Sequence, residues 1–187
     1  FNSINFSDSI VGSPKNYILK KKIKKENIFL VLISHHDEFK ILFEWLKAYN
    51  KDLNYKFLFR FYPGSNFIDY EKIVLKYKNF RISKNKSLVH DCKYSKFSIF
   101  SNTSAGIESV NMGLVSMWVK LHPQGISPLD KEHKNSFFPS DDRDTFIKNI
   151  KKISNFDHNK FSYHHNIQFK ITNNIYSKFN TSKFKKI

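Results

Sequence analysis

The segment FSIFSNTSAGIESVNMGLVSMW, residues 97–118, decides the fold prediction. An apolar run ends at a cluster of small polar residues, and a helix-like segment and a second apolar run follow. Short apolar runs rich in β-branched and aromatic residues are typical of strands that are buried on both faces of a sheet. The segment therefore predicts a strand, then a helix that begins after Ser104 and ends at Gly113, then another strand.

The same alternation extends along the rest of the chain. The predicted strands are residues 26–34, 55–65, 80–84, 97–102 and 114–121. A helix is predicted after each of the first four strands, and two more helices follow the last strand, the second of them from Phe161 to Phe179. The first helix carries one apolar face, because its apolar residues recur at spacings of three and four. These residues are Phe39, Leu42, Phe43 and Leu46. Asp37 and Glu38 suit the first turn of the same helix.

Alternating strands and helices predict a mostly parallel sheet with helices on both faces. Right-handed crossovers make this α/β arrangement a Rossmann-like three-layer sandwich. We divide the chain into a lead-in segment (1–25), the Rossmann-like domain (26–155) and a C-terminal helix with a basic tail (156–187). The sequence does not begin with Met, and we expect it to be a piece of a longer protein.

The composition excludes a disordered chain, because 40% of the residues are hydrophobic and 17% are aromatic. The single cysteine, Cys92, fits a reducing compartment. No apolar run approaches the roughly 20 residues that span a bilayer. We therefore predict a cytoplasmic protein. The net charge of +16 either reflects AT-rich codon usage or indicates a polyanionic partner, in which case an anionic membrane surface is favoured over nucleic acid.

Candidate site residues follow from a rule for open parallel sheets, in which ligands bind beyond the carboxyl ends of the strands. Those ends carry Ser34 and His35 after the first strand and Arg60, Tyr62 and Pro63 in the second. The fourth strand ends at Ser101, Asn102, Thr103 and Ser104. A helix that begins there would offer unpaired N–H groups to an anion.

Two readings of the segment after the fourth strand stay open. In the first, Gly106 allows a phosphate or sugar to approach closely, and Glu108 accepts hydrogen bonds from sugar hydroxyls. In the second, a hydroxyl caps the helix and Gly106 eases packing of the helix on the strand. The chain has no nucleophile elbow, no phosphate-binding P-loop and no dinucleotide fingerprint. Its adjacent histidine pairs do not match a metal site, and no metal is predicted.

Two short motifs resemble those of the C-terminal, donor-binding domain of GT-B glycosyltransferases. The nearest likeness is to bacterial surface-carbohydrate and capsule enzymes of the Kdo-transferase and polysialyltransferase type. Arg60 and Pro63 match an R-x-H-P motif, in which Tyr62 replaces the histidine. The second motif is matched by Ser101, Thr103, Ser104, Gly106, Glu108 and Gly113.

The resemblance implies the donor-binding half of a metal-independent glycosyltransferase in bacterial surface-polysaccharide synthesis. Its nucleotide- and phosphate-binding residues would be Arg60, Tyr62, Pro63, Ser101, Asn102, Thr103, Ser104, Ala105, Gly106 and Glu108. Gly12, Ser13, Ser34 and His35 would contact the donor. The resemblance assigns no catalytic residue.

The same resemblance implies the partners of the chain. The substrate would be a CMP- or NDP-linked sugar, with no cofactor, and the acceptor a glycan or lipid-linked molecule at the inner face of the plasma membrane. An N-terminal GT-B domain, in this or another chain, would complete the enzyme, and no nucleic acid is expected. The alternatives are a glycerol- or ribitol-phosphate transferase, half of a nucleotide-sugar epimerase, and a non-catalytic basic module.

Overall fold

The computed structural model describes residues 25–49, 54–121, 129 and 133–175. Within this part of the chain, five strands form one parallel sheet in the order β3-β2-β1-β4-β5. The strands are β1 (Glu26–Ile33), β2 (Lys56–Phe61), β3 (Phe80–Ile82), β4 (Ser95–Phe100) and β5 (Val115–Trp118). Each predicted strand is therefore present, with its ends shifted by a few residues.

Helices cover both faces of this sheet. They are α1 (His36–Leu46), α2 (Ile68–Val74), α3 (Leu88–Tyr94), α4 (Ala105–Asn111), α5 (Arg143–Ser154) and α6 (His158–Ile175). Short 3-10 turns lie at Lys47–Tyr49 and Lys134–Phe137. The predicted Rossmann-like α/β sandwich is confirmed.

The sheet is apolar on both faces, which explains why its strands are continuous apolar runs. In β1, Phe29, Val31 and Ile33 join the core under α1 and α5, whereas Leu30 and Leu32 join the core under α3, α4 and α6. Side chains alternate between the faces of a strand, so successive residues enter opposite cores. The predicted apolar face of α1 is also confirmed, because all four of its residues are buried.

Helix α4 lies unusually close to β4, and Gly106 is the reason. A Cβ atom at position 106 would lie 2.0–2.4 Å from ring carbons of Phe100. Real Cβ atoms do not approach other atoms so closely. The packing reading of Gly106 thus has direct structural support, since only glycine fits at this contact.

The edge strand β5 is covered by a side chain of α6. The Gln168 amide accepts a hydrogen bond from Ser116 N and donates one to Ser116 O, both at 2.8 Å. Gln168 therefore supplies the pairing that another strand would give, and the free edge is closed.

The strand order creates a switch point in the middle of the sheet. From β1 the chain continues outward to β2 and β3, and β4 then returns to the other side of β1. Connections leave β1 and β4 in opposite directions, so a crevice opens between their carboxyl ends. Ligands of open α/β sheets bind in this crevice.

Candidate functional site

A buried carboxylate organises the loop between β1 and α1. The Ser34 backbone N–H and hydroxyl donate to Glu38 Oε2 at 2.9 and 2.6 Å, and the His35 N–H donates to the same oxygen at 3.3 Å. Glu38 is fully buried, and its other oxygen, Oε1, has no hydrogen-bond partner in the described part of the chain. Glu38 thus fixes Ser34, which is half-buried, and His35, which is exposed.

Sequence reasoning assigned Glu38 only to the first turn of a helix. Its role in the loop has a local signal, because a glutamate at the third helical position commonly bonds back to the backbone before the helix. Burial of its second oxygen has no such signal. That feature depends on the neighbouring strands.

The second loop, between β4 and α4, contains a buried hydroxyl. Ser101 is 1% exposed, and its Oγ has no hydrogen-bond partner among the described residues. Asn102, Thr103 and Ser104 follow and are half-buried. Ser104 Oγ donates to Glu108 Oε1 at 3.0 Å, so Glu108 faces its own loop.

The backbone N–H groups at the start of α4 were expected to be unpaired, and this prediction is wrong for residues 105–108. Thr103 Oγ1 accepts from Ala105 N, and Thr103 O accepts from Gly106 N, both at 3.3 Å. The Ser104 carbonyl accepts from the N–H groups of Ile107 and Glu108 at 3.0 Å. The loop therefore caps its own helix, and its hydroxyls remain as the groups that could meet a ligand.

The two loops meet at the switch point. Leu32 of β1 pairs with Phe100 of β4, so the residues that follow each strand leave the sheet side by side. Two polar atoms, Glu38 Oε1 and Ser101 Oγ, are buried here without a partner in the part of the chain that the structure describes. Buried polar groups in native proteins are nearly always hydrogen-bonded, and the exceptions concentrate at functional sites.

Arg60 pairs with Leu32 from the other side of β1, and its side chain already has partners within the protein. Its Nη1 is 2.6 Å from Asp91 Oδ2 and 2.9 Å from the Asn85 carbonyl, and its Nη2 donates to the Lys86 carbonyl at 3.2 Å. Side-chain exposure is 11% for Arg60 and 0% for Asp91. The geometry thus gives Arg60 a structural ion pair, and its contact with a phosphate stays a prediction.

Tyr62 and Pro63 form a tight turn at the end of β2. The Ser65 N–H donates to the Tyr62 carbonyl at 3.0 Å, and Gly64 has φ of 93°. Pro63 and Gly64 are the residues that the central positions of a type II turn prefer. The Tyr62 N–H donates to Ile33 O at 2.9 Å, which holds this turn beside the end of β1. The Tyr62 side chain is 66% exposed there, next to the Ser34–His35 loop.

The remaining predictions are quickly placed. Gly12 and Ser13 lie outside the described residues. No group of three or more His, Cys, Asp or Glu residues in the described part could hold a metal ion. Within the same ranges, no helix is both long and apolar enough to cross a membrane. Burial raises the pKa of Cys92 to about 12, so its thiol is protonated at neutral pH.

The fold is similar to solved glycosyltransferase structures. A spinosyn rhamnosyltransferase matches with a TM-score of 0.54 and 11% identity, over 80% of this chain and 42% of that one. The kitacinnamycin glycotransferase matches with a TM-score of 0.54 and 8% identity, over 84% and 44%. The catalytic domain of starch synthase IV from Arabidopsis thaliana, bound to ADP and acarbose, matches with a TM-score of 0.54 and 12% identity, over 90% and 38%.

No protein-family profile matches the sequence, and no curated protein matches it. The chain spans less than half the length of each of these solved structures. At such identities the likeness shows the fold alone: the α/β fold of this chain is similar to part of each of these glycosyltransferase structures.

Proposed function

We propose that this chain is the donor-binding half of a metal-independent glycosyltransferase in bacterial surface-polysaccharide synthesis, of the capsule, Kdo-transferase or polysialyltransferase-like type. The observation that carries the proposal is the polar crevice at the switch point. There, Ser34 and Ser101–Ser104 follow two paired strands. Glu38 Oε1 and Ser101 Oγ are buried in these two segments with no partner among the described residues.

The chemistry of a nucleotide sugar fits this crevice. When the bond to the anomeric carbon breaks, negative charge accumulates on the leaving phosphate, and preorganised donors aimed at that charge lower the barrier. The donors that these loops present are the hydroxyls of Ser101 and Thr103, together with the phenol of Tyr62 at the neighbouring turn. The hydroxyls of Ser34 and Ser104 already donate to Glu38 and Glu108. Glu38 would keep the first loop in place and so acts as a positioning residue.

Glu108 is the residue we assign to the sugar or ribose. Its carboxylate lies one turn into α4 and is half-buried beside Ser104. A carboxylate accepts hydrogen bonds only, so it selects ligand groups that donate, such as hydroxyls.

The proposal includes partners that complete the reaction. The substrate is a CMP- or NDP-linked sugar. The acceptor is a glycan or lipid-linked molecule at the cytoplasmic face of the membrane. A second, N-terminal domain supplies the acceptor site, in this or another chain. The share of the similar structures that the chain spans, 38–44%, fits one half of a two-domain enzyme.

The test is thermal unfolding of the chain with CMP, CDP, UDP, GDP and their sugars. A ligand at about a hundred times its Kd adds about 2.7 kcal/mol to the free energy of unfolding, which gives a clear shift in Tm. We expect a shift with one nucleotide class and its loss in Glu108→Ala. A folded protein that responds to none of these ligands would contradict donor binding by this chain.

A serine of β4 and the serine directly after that strand provide a matched pair of variants. Ser101→Ala removes the hydroxyl that has no partner among the described residues, whereas Ser98→Ala removes one bonded to Ser109 and Ser116 at 2.7 and 2.5 Å. We expect Ser101→Ala to weaken nucleotide binding with little change in stability. Ser98→Ala should lower stability by about 1 kcal/mol and leave binding intact. Weaker nucleotide binding in Ser98→Ala, with unchanged binding in Ser101→Ala, would contradict a site at the switch point.

A further inference from the structure

The amino-terminal end of the sheet, opposite the candidate site, carries a dense group of cations. We define the basic end as the described Lys and Arg residues at the starts of β2, β3 and β4, in the turn before β3 and at the end of α3. These residues are Lys56, Lys76, Lys78, Arg81, Lys93 and Lys96. Glu26 is the acid among the strand-start residues here, and it pairs with Lys56 at 3.0 Å. Both side chains of that pair are more than half exposed, so it neutralises little of the charge in its surroundings.

The fold explains why charge of one sign gathers here. Every helix between two parallel strands ends at the amino end of the sheet, where its carbonyl groups favour cations. Acids accordingly occupy the first turns at the opposite end, as Asp37 and Glu38 do in α1 and Asp69 does in α2. The two ends of the sheet therefore differ in charge.

The basic end also has a shape that can receive an anion. A surface cavity of about 400 Å³ is lined by Lys56, Lys78, Asn79 and Arg81. Arg81 Nη1 donates to the carbonyls of Lys78 and Phe80, at 3.2 and 2.6 Å. These hydrogen bonds fix the guanidinium at the start of β3. A phosphate group fits such a cluster, because guanidinium and ammonium groups are its usual partners.

Two apolar side chains are exposed at the same end. Leu75 follows α2 and is 57% exposed, and Tyr94 ends α3 and is 38% exposed. Lys76 and Lys93 stand directly beside them in sequence, and Lys93 Nζ lies 5.3 Å from the centre of the Tyr94 ring. Large apolar side chains flanked by lysines suit the boundary between lipid headgroups and acyl chains. The chain also enters the sheet at this end, through Lys25, directly after the run KKKIK at positions 20–24.

We propose that the basic end docks on an anionic phospholipid bilayer. Charge complementarity supplies most of the attraction, and Leu75 and Tyr94 add contacts that a lipid surface accepts. An exposed leucine has no comparable partner on a nucleic acid, where base stacking requires aromatic groups. The proposal concerns a surface away from the candidate donor site and does not depend on which nucleotide that site binds.

The experiment is co-sedimentation of the full chain with vesicles of phosphatidylcholine alone or mixed equally with phosphatidylglycerol. We expect binding to the mixed vesicles only, weakening as salt is raised, because exposed charges are screened beyond about 8 Å at 0.15 M. The variant Lys56→Gln/Lys78→Gln/Arg81→Gln should bind on the order of 100-fold more weakly, since each basic residue near the surface contributes about a factor of five.

A matched variant separates position from net charge. Lys84→Gln/Lys86→Gln/Lys120→Gln makes the same change in charge at exposed positions near the carboxyl ends of the strands. It should bind vesicles within about twofold of the unchanged chain. Equal losses in the two variants, or no binding to mixed vesicles, would overturn the proposal. The proposal would also be overturned if the first variant bound vesicles as well as the unchanged chain does but no longer bound duplex DNA.

A second variant guards against a folding defect. Lys76→Gln/Lys78→Gln changes exposed side chains outside the strands, and circular dichroism will show whether it folds. We expect roughly 25-fold weaker vesicle binding for a folded protein. Because the nucleotide experiments measure the opposite end of the molecule, a failure here leaves the proposed donor site untouched, and the converse holds.

Discussion

Two buried carboxylates near the carboxyl ends of the strands are built in different ways. Asp91 has both oxygens occupied: Oδ2 accepts from Arg60 and Ser83, at 2.6 and 2.7 Å, and Oδ1 accepts from Asn85 at 2.5 Å. Glu38 has three hydrogen bonds on one oxygen and none, among the described residues, on the other. The hydrogen-bonding capacity of Asp91 is thus used on both oxygens, whereas Glu38 Oε1 could still accept a hydrogen bond.

This difference teaches which polar groups to assign to a ligand. Arg60 matches a motif and carries the charge that a phosphate needs, yet its partners are all within the protein. Ser101 and Glu38 carry hydrogen-bonding atoms that have no partner among the described residues. Satisfaction of hydrogen bonds, more than residue type, therefore separates structural groups from candidate ligand groups at this edge of the sheet.

The largest expected loss of stability comes from breaking the ion pair of Asp91 with Arg60. Asp91→Ala leaves the Arg60 guanidinium buried without its carboxylate, and removing one partner of a buried ion pair costs about 3–5 kcal/mol. Urea unfolding followed by circular dichroism will measure the loss. Glu71→Ala provides the control, because its pair with Lys84 lies at the surface and contributes at most about 1 kcal/mol. A loss below that of Glu71→Ala would mean that Arg60 is free to serve a ligand.

A smaller loss is expected where the second loop is held against the sheet. Gly106→Ala places a methyl group against the Phe100 ring, and overpacking of this kind costs about 1–3 kcal/mol. Phe100→Leu in the same chain should recover part of that loss, which a double-mutant cycle by urea unfolding will show. Gly64→Ala is the comparison for backbone strain alone, since nothing lies within 4 Å of its added Cβ while its φ is 93°. Additive losses for Gly106→Ala and Phe100→Leu would contradict a direct clash.

Glu38→Gln should affect binding more than stability. The amide keeps the shape of the carboxylate and one acceptor for Ser34, so we expect a stability change of about 1 kcal/mol or less. It also weakens the charge-assisted hydrogen bonds by which Glu38 positions Ser34 and His35, and the Kd of the nucleotide found by thermal unfolding should rise about tenfold. Calorimetric titration measures this directly. Unchanged affinity together with a large loss of stability would make Glu38 equivalent to Asp91.

The smallest effect concerns the support of α4 by α6. Burial lowers the pKa of His165, whose Nε2 lies 3.0 Å from the Val110 carbonyl. Below the ordinary histidine pKa, about 6.5, the unfolded chain takes up a proton more readily than the folded one. Stability should thus be complete above that pH and fall as the pH drops below it. His165→Gln should make the free energy of unfolding less dependent on pH in this range. His158→Gln, at an exposed position, should not.

Much of the fold could be predicted because both faces of the sheet are buried. Residues 28–33 are apolar throughout for that reason, and residues 97–100 are apolar except for Ser98; the length and bounding residues of both runs mark them as strands. The rule that ligands bind beyond the carboxyl ends then directs attention to Ser34 and Ser101. The order of strands could not be predicted, because the pairing of β1 with β4 joins residues about 70 positions apart.

The site was harder to predict, because it depends on contacts between distant segments. Arg60 and Asp91 are 31 positions apart, and no local pattern indicates that they pair. The sequence shows Gly106 but leaves open whether a ligand or helix packing requires a glycine there. The contact with the Phe100 ring favours packing. Glu38 looked like an ordinary first-turn acid. Its unpaired oxygen is apparent only when β1, β4 and α1 are assembled.

The parallel arrangement of the strands also fixes a height. Strands β2 and β4, which lead from the basic end, have six residues each and are about 20 Å long, so the basic end and the candidate donor site lie about that far apart. If the basic end rests on lipid and the crevice binds the donor as proposed, the sugar would lie about 20 Å above the headgroups. The length of the strands would then set a minimum length for the acceptor, because an acceptor attached to lipid must already span that distance. Such a protein would extend existing chains and leave their first sugars to other enzymes.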